Sequence, residues 1–168
     1  VAQAIPASLD LDTVLRRITD SAKELVGSDL AMIGFREGDT EAVTVRHRVG
    51  SRYTSDRTFR IEPGKGFGGR ALLSGRPLRT DDYTNDPAFS KDYLGAVVRD
   101  DSVSAMVVPI RSEDHVVGLL YVANRTKRPF SDHDEATLLR LADEAAVAIR
   151  NAQLFESERE SERRYRTL

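Results

Sequence analysis

The chain has 168 residues, 40% of them apolar and 31% charged, with a formal net charge of −2. That is enough for one core plus an appendage and too little for two ordinary domains. The acidic balance speaks against nonspecific nucleic-acid binding, which needs an excess of Lys and Arg. Cysteine is absent, which removes disulfides, thiolate metal sites, thiol catalysis and thioether-linked chromophores together.

No apolar run approaches the ~20 residues that span a bilayer, and the opening "VAQAIPASLDLDT" lacks a basic-then-apolar signal. A cytoplasmic location without membrane contact is the expectation for this region. Leu11, Val14, Leu15, Ile18, Ala22, Leu25 and Val26 recur at three- and four-residue steps, so they share one helix face, with Asp10 as cap and Gly27 as stop. "LAMIGF" (30–35) and "AVTVRHRV" (42–49) then read as strands joined by a turn at Gly38 and Asp39. "RTFRI" (57–61) is a third, short strand, ended by Pro63.

In "PGKGFGGRALLSGRPLRTDDY" (63–83), Gly64, Gly66 and Gly69 spell G-x-G-x-x-G, the spacing of a pyrophosphate-binding loop. Its context fails. The preceding strand carries Arg60, Glu62 and Pro63, and "RALLSG" supplies about one and a half turns of helix before Gly75 and Pro77 stop it. A tight turn into a short helix is the reading that remains, the glycines permitting left-handed backbone. "PLRTDD" is a possible strand, and the polar span 83–101 is loop or short helix.

"SAMVVPI" (104–110) and "VVGLLYVAN" (116–124) are strong strands around the turn "RSEDH". The second is apolar on both faces, so it belongs at the centre of a sheet covered on both sides. After Phe130 one long helix follows, with Ser131 as cap and Asp132, Asp134 and Glu135 in its first turn, where the helix dipole favours acids. Its stripe of Leu138, Leu141, Ala142, Ala145, Ala148, Ile149, Ala152 and Phe155 is rich in small residues that let another helix approach closely. Past Phe155 the stripe dissolves into charge, with Glu160–Arg164 and Glu162–Arg166 pairs worth about 0.2–0.5 kcal/mol each. A frayed terminus and a rod leading to another domain both fit.

Candidate chemistry is sparse. His47, His115 and His133 sit in three separate elements without metal-ligand spacing. Asp81 with Asp82 and Asp100 with Asp101 are adjacent carboxylates, but neighbours on extended chain point to opposite sides, so turn formation and capping explain them better than acid–base work. With no nucleophile elbow, phosphate loop or kinase signature, an enzyme ranks last.

The element order, together with "GKGFGGRALLSGRPLRTDDYTNDPAF" and "SAMVVPIRSEDHVVGLLYVANRTKRPFSDHDEATLLRLADEAAVAIRNAQL", resembles the GAF domain family, the small-molecule sensor modules of signalling proteins. The resemblance implies an α+β fold over residues 9–155, with 156–168 as a helical linker toward a following domain. Its central antiparallel six-stranded sheet would carry the terminal helices on one face and a ligand pocket under loops and short helices on the other. It aligns Asp82, Asn124, Phe130 and Asp134 with family positions. Arg125, where Lys is usual, and Glu135 make the chain similar to the N-K…F-x-x-x-D-E signature of cyclic-nucleotide GAF domains, with Arg125 expected to pair with the acid.

The resemblance further implies a pocket drawing on Val49, Phe67, Gly68, Tyr93, Val97, Val98, Ser102 and Met106, about half of which are expected to line it. A bilin attached through Cys and catalysis of the free methionine sulfoxide reductase type both need the missing thiol. Haem is disfavoured because 83–104 holds no His, and purine readers are replaced by Leu94, Val97 and Val98. An apolar or aromatic ligand, or none, is what remains; the cofactor is otherwise unidentified. "ERRYRTL" resembles the lead-in to a PAS domain, so the implied function is a non-catalytic sensory module of a sensor histidine kinase. A diguanylate cyclase or transcription regulator stays open as parent. The rival is a structural dimerisation module in which Ala145, Ala148, Ala152 and Phe155 pair helices into a homodimer.

Overall fold

Strand β6 (His115–Asn124) is apolar on both faces and lies in the interior of the sheet. In the computed structural model, which describes residues 7–52 and 59–167, it pairs with β1 (Leu30–Arg36) on one side and β5 (Ser104–Ser112) on the other. Beyond β1 come β2 (Val43–Val49) and β3 (Arg60–Ile61), and beyond β5 comes β4 (Leu78–Thr80). The order is β3-β2-β1-β6-β5-β4 and every pairing is antiparallel. Residues 57 and 58 of the third expected strand lie outside the described residues.

One face of the sheet is covered by α1 (Ala7–Val26) and α4 (Asp132–Thr167). Leu15, Ile18 and Ala22 of α1 meet Leu138, Ala142, Ala145 and Ile149 of α4 over Ile33, Met106, Val108 and Leu120 of the strands. Helix α1 starts before Asp10, which therefore stands in its first turn and does not cap it. Gly27 ends it in left-handed backbone, φ 67°. Ser131 caps α4 reciprocally: the Asp134 amide donates to its Oγ at 3.1 Å, and its own amide donates to the Asp134 carboxylate at 2.9 Å.

The small residues of α4 serve the chain itself. Ala145 and Ala152 are buried in the core shared with α1, and Ala148 packs beside them. A Cβ-only surface lets the two terminal helices close on each other, so this stripe is not the seam of a partner helix that the sequence suggests. Phe155 is 43% exposed, and the apolar residues that α4 leaves open beside it are Val147 and Leu154.

The other face holds α2 (Gly66–Ser74), a one-turn helix at Tyr83–Asn85 and α3 (Leu94–Arg99). Helix α2 is longer than "RALLSG" suggests, because it begins at Gly66. The three motif glycines each answer a local need. Gly64 and Gly66 have φ of 81° and 66°, and a Cβ on Gly69 would stand 2.3 Å from the Glu62 carbonyl oxygen. The second apolar cluster joins Phe67, Ala71 and Leu72 of α2 to Leu30, Val43, Val107 and Leu119 of the sheet.

Candidate ligand cavity

Between the sheet and α3 lies a cavity of about 80 Å³ that opens to solvent. Its sheet wall is Leu30, Met32, Val43, Val45, Val107 and Leu119, one face of the strands read at alternate positions. A bulge changes that alternation. The register of β2 against β1 shifts between Ile33 and Gly34, so Val45 opposes Gly34 and His47 opposes Ile33, with Arg46 unpaired between them. Val43, Val45 and then Arg48 consequently face the cavity, while Arg46 reaches Asp12 and His47 stands 3.5 Å from Asp20, both on α1.

Aromatic rings make the inner wall. Phe67 sits edge-on to Tyr83, Phe89 and Tyr121, with centroids 5.9, 4.8 and 6.2 Å away, and Phe59 meets Tyr93 edge-to-face at 5.3 Å. Desolvation raises the pKa of the Tyr121 phenol far above its usual range; the neighbouring Ser102 hydroxyl offsets this in part. Burial likewise raises that of Tyr83, helped by the Asp92 charge; its hydroxyl donates to the Ser90 carbonyl at 2.6 Å.

The roof is held by polar ties at both ends. None of the six residues of α3 is buried. At its amino end, the Tyr93 hydroxyl accepts from the Glu62 amide at 2.8 Å, and the Gly66 amide at the start of α2 donates to Ser90 Oγ at 2.9 Å and Asp92 Oδ2 at 3.1 Å. A Cβ on Gly66 would strike the Tyr93 ring at 2.6 Å. The first amide of α2, where a pyrophosphate would have to bind, thus already holds the chain's own carboxylate. The pKa of Asp92 is lowered, first by the Ser90 hydroxyl and next by the Gly66 amide.

At the carboxy end of α3, buried Asp100 accepts from Ser51 Oγ at 2.8 and 3.0 Å and from the Arg52 amide at 2.7 Å. Asp101, in left-handed backbone with φ 53°, pairs with Arg52 instead. The adjacent carboxylates therefore tie down the 51–52 segment, Asp100 through the Ser51 hydroxyl and the Arg52 amide and Asp101 through the Arg52 guanidinium, and do not converge on a reaction centre. Among the described residues no group of His, Asp and Glu is arranged to hold a metal. His115 pairs across the β5–β6 hairpin and His133 lies in the first turn of α4.

Five of the residues singled out for the pocket, Phe67, Gly68, Tyr93, Val97 and Ser102, line this cavity. Three do not. The bulge turns Val49 to the helical face, where it packs against the terminal-helix core. Met106 is fully buried on that face too, because Ala105 and Val107 take the cavity side of β5. Val98, one step round α3 from Val97, is 57% exposed. Periodicity in β6 could have found Tyr121, two residues after Leu119; Asp100 has no comparable signal.

The remaining motif residues form structural ties. Asn124 is buried and accepts from the Asp29 amide at 3.2 Å while donating to the Arg128 carbonyl at 2.8 Å. Phe130 enters the helical core. Arg125 does not reach Asp134, which is occupied in capping; its Nε donates to the Asp100 carbonyl at 3.0 Å and its Nη2 to the Gly50 carbonyl at 2.6 Å. Glu135 stands 3.6 Å from Arg79. Asp82 lies beyond the end of β4 and accepts from Asn85. The acid that anchors this loop is Asp86, which takes the Thr80 hydroxyl at 2.6 Å and the Ala88 amide at 2.9 Å.

A six-stranded antiparallel sheet with paired terminal helices on one face and a roofed apolar cavity on the other defines an α+β fold of the GAF type. The chain belongs to the GAF domain family, whose model matches residues 10–149. It is 27% identical over 145 residues to the HTH-type transcriptional activator RamA of Corynebacterium glutamicum, covering 85% of this chain and 51% of that protein; the chain thus spans about half the length of that relative. Two solved structures share the fold. The GAF domain of a phosphoenolpyruvate-protein phosphotransferase from Coxiella burnetii matches with a TM-score of 0.78 at 18% identity, over 88% of this chain and 86% of that one. The GAF domain of a two-component sensor histidine kinase from Bacillus halodurans matches at 0.71 and 23%, over 87% and 97%. GAF domains are generally regulatory modules of signalling proteins, and no described helix is long and apolar enough to cross a membrane.

Proposed function

We propose that this chain is a non-catalytic sensory domain that binds a small apolar or aromatic molecule under α3 and passes its bound state through α4. The parent would be a cytoplasmic signalling protein, with a sensor histidine kinase as the leading candidate and a transcription regulator beside it. Residues 156–168 would then be the helical link toward the effector. The observation that carries this reading is the size of the cavity against the make-up of its walls. Its 80 Å³ is about half of the roughly 150 Å³ that admits benzene in a closed apolar cavity, so a ring seated fully inside, and not protruding through the open side, has to displace a wall. The sheet and α2 walls rest on the buried side chains of Leu30, Val43, Val107, Leu119 and Phe67, whereas α3 has no buried residue. Displacing α3 moves Asp100, whose carbonyl is held by Arg125 on the segment leading into α4. A ligand with different affinity for the two roof positions biases the exit helix.

The test is native mass spectrometry of the purified chain together with a thermal-shift panel of small neutral metabolites. A ligand at a hundred times its Kd adds about 2.7 kcal/mol of stability. No bound mass and no stabilised member of the panel would remove the ligand half of the reading. A structural dimerisation module is the second reading, favoured by the exposed Val147, Leu154 and Phe155 on α4. Sedimentation of the chain with and without residues 156–168 tests it, and a monomer at high concentration would sink it.

A further inference from the structure

The wall of the cavity carries two charged side chains, and both are committed. Both oxygens of the Asp100 carboxylate take hydrogen bonds from Ser51, and one also takes the Arg52 amide. Arg48 lies over the Phe59 ring, its guanidinium carbon 5.5 Å from the centroid. A ligand ion would have to give up its hydration and compete with these contacts for Arg48 or Asp100, a cost that a neutral ligand does not meet.

Four hydroxyl-bearing residues face the cavity, and two of them are also committed. Tyr83 donates to the Ser90 carbonyl and Tyr93 accepts from the Glu62 amide. Tyr121 and Ser102 lie side by side in the wall and engage each other, so a ligand atom there would share in a hydroxyl pair with no tie to the roof. Apart from Arg48, Asp100 and two glycines, the rest of the wall is hydrocarbon or aromatic ring, which rewards a flat apolar body. The small volume of the cavity, about 80 Å³, favours a body of one ring over a larger one.

Resting on the sensory reading above, we infer that the ligand is an uncharged single-ring aromatic compound bearing one hydroxyl or carbonyl, its ring beside Phe67 and its polar atom at Tyr121 and Ser102. The neutral polar atom exchanges hydrogen bonds with the two hydroxyls, and the ring fills the space between Val107, Leu119 and Val97. Removing one hydroxyl partner therefore weakens a hydroxylic ligand and leaves a hydrocarbon of the same shape unaffected.

The test uses a matched series on the intact chain: phenol, benzyl alcohol, toluene, benzoate and benzylammonium, with binding read by ligand-observed NMR at neutral pH. Phenol and benzyl alcohol should bind at least about ten-fold tighter than either ion. Tyr121→Phe should weaken phenol about ten-fold and leave toluene unchanged, with Ser102→Ala as the second variant should the first fold poorly. Ala96→Phe, which fills the cavity from the roof, should abolish all binding. Benzoate or benzylammonium binding as tightly as phenol overturns the inference and leaves the cavity a ligand site. So does a phenol affinity that neither variant changes. If no probe binds but native mass spectrometry finds another molecule retained, the ligand class alone is wrong; if neither finds anything, the sensory reading falls with it.

Discussion

Arg125 joins the roof of the cavity to the root of the exit helix: its Nε donates to the Asp100 carbonyl at 3.0 Å, and its Nη2 stands 4.0 Å from the Asp100 carboxylate. The same Nη2 holds the Gly50 carbonyl at 2.6 Å, so the end of β2, the end of α3 and the segment after β6 meet on one guanidinium. Asp100→Ala removes the acceptor of the Ser51 hydroxyl and the Arg52 amide and leaves Arg125 less compensated. A loss of about 1–3 kcal/mol is expected, read as a lower urea midpoint. Asp100→Asn should cost less, because a carbonyl oxygen remains.

Neighbours on β5 should behave oppositely. Met106→Ala opens a hole among α1, α4 and the sheet and should cost about 2–5 kcal/mol without altering the affinity of any cavity ligand per folded molecule. Val107→Ala enlarges the cavity itself, and should change ligand preference toward larger rings. Val98→Ala, at an exposed site, should stay within about 0.5 kcal/mol of the parent. Chemical denaturation and titration of the same probes separate the three.

Acid should loosen the roof first. The pKa of Asp86 is lowered chiefly by the Thr80 hydroxyl, and that of Asp92 chiefly by the Ser90 hydroxyl. Because both folded-state values lie below the unfolded ones, their contribution is complete above pH ~4 and is lost as pH falls through the depressed values. Stability should therefore be insensitive to these groups from pH 7 to 5 and decline below about 4. The double variant Asp86→Asn, Asp92→Asn should start less stable at neutral pH and show a shallower acid limb in pH-dependent unfolding.

Tyr83 and Tyr121 have raised values, so the protonated phenol is what the fold favours. That contribution is present below pH ~10 and is lost as pH rises through the raised values. In ultraviolet titration the ionisation of these two should track alkaline unfolding. Tyr121→Phe should remove one step from that phase.

If α4 mediates pairing, its contact residues are the exposed ones. Leu154→Glu and Val147→Glu should shift the sedimentation profile toward monomer while changing the stability of the isolated fold by no more than about 0.5 kcal/mol. Ala145→Leu should instead cost about 1–3 kcal/mol by overpacking the α1–α4 contact, since its Cβ is fully enclosed.

Patterns with a local cause were legible in the sequence. The two-faced apolarity of β6 placed it in the sheet interior, and the acids after Ser131 marked the cap of α4. Loops defeated the same reasoning where the cause is distant. The bulge at Arg46 reverses the parity of β2 and carries Val49 away from the cavity, yet nothing in "TVRHRV" announces an unpaired residue. The roof span has no periodicity, because it is held by Asp86, Asp92 and Asp100 reaching amides and hydroxyls in other segments. The small-residue stripe of α4 was readable as a close helix contact; that its partner is α1 required the tertiary packing.

The claim that occupancy of the cavity moves the roof is tested most directly by amide hydrogen exchange over 94–101 and 125–131, with and without saturating phenol. The account predicts changed protection in both segments, with β6 itself unchanged, and loss of the response at 125–131 in Asp100→Ala. Phenol binding confirmed by NMR with no change in either segment would contradict it.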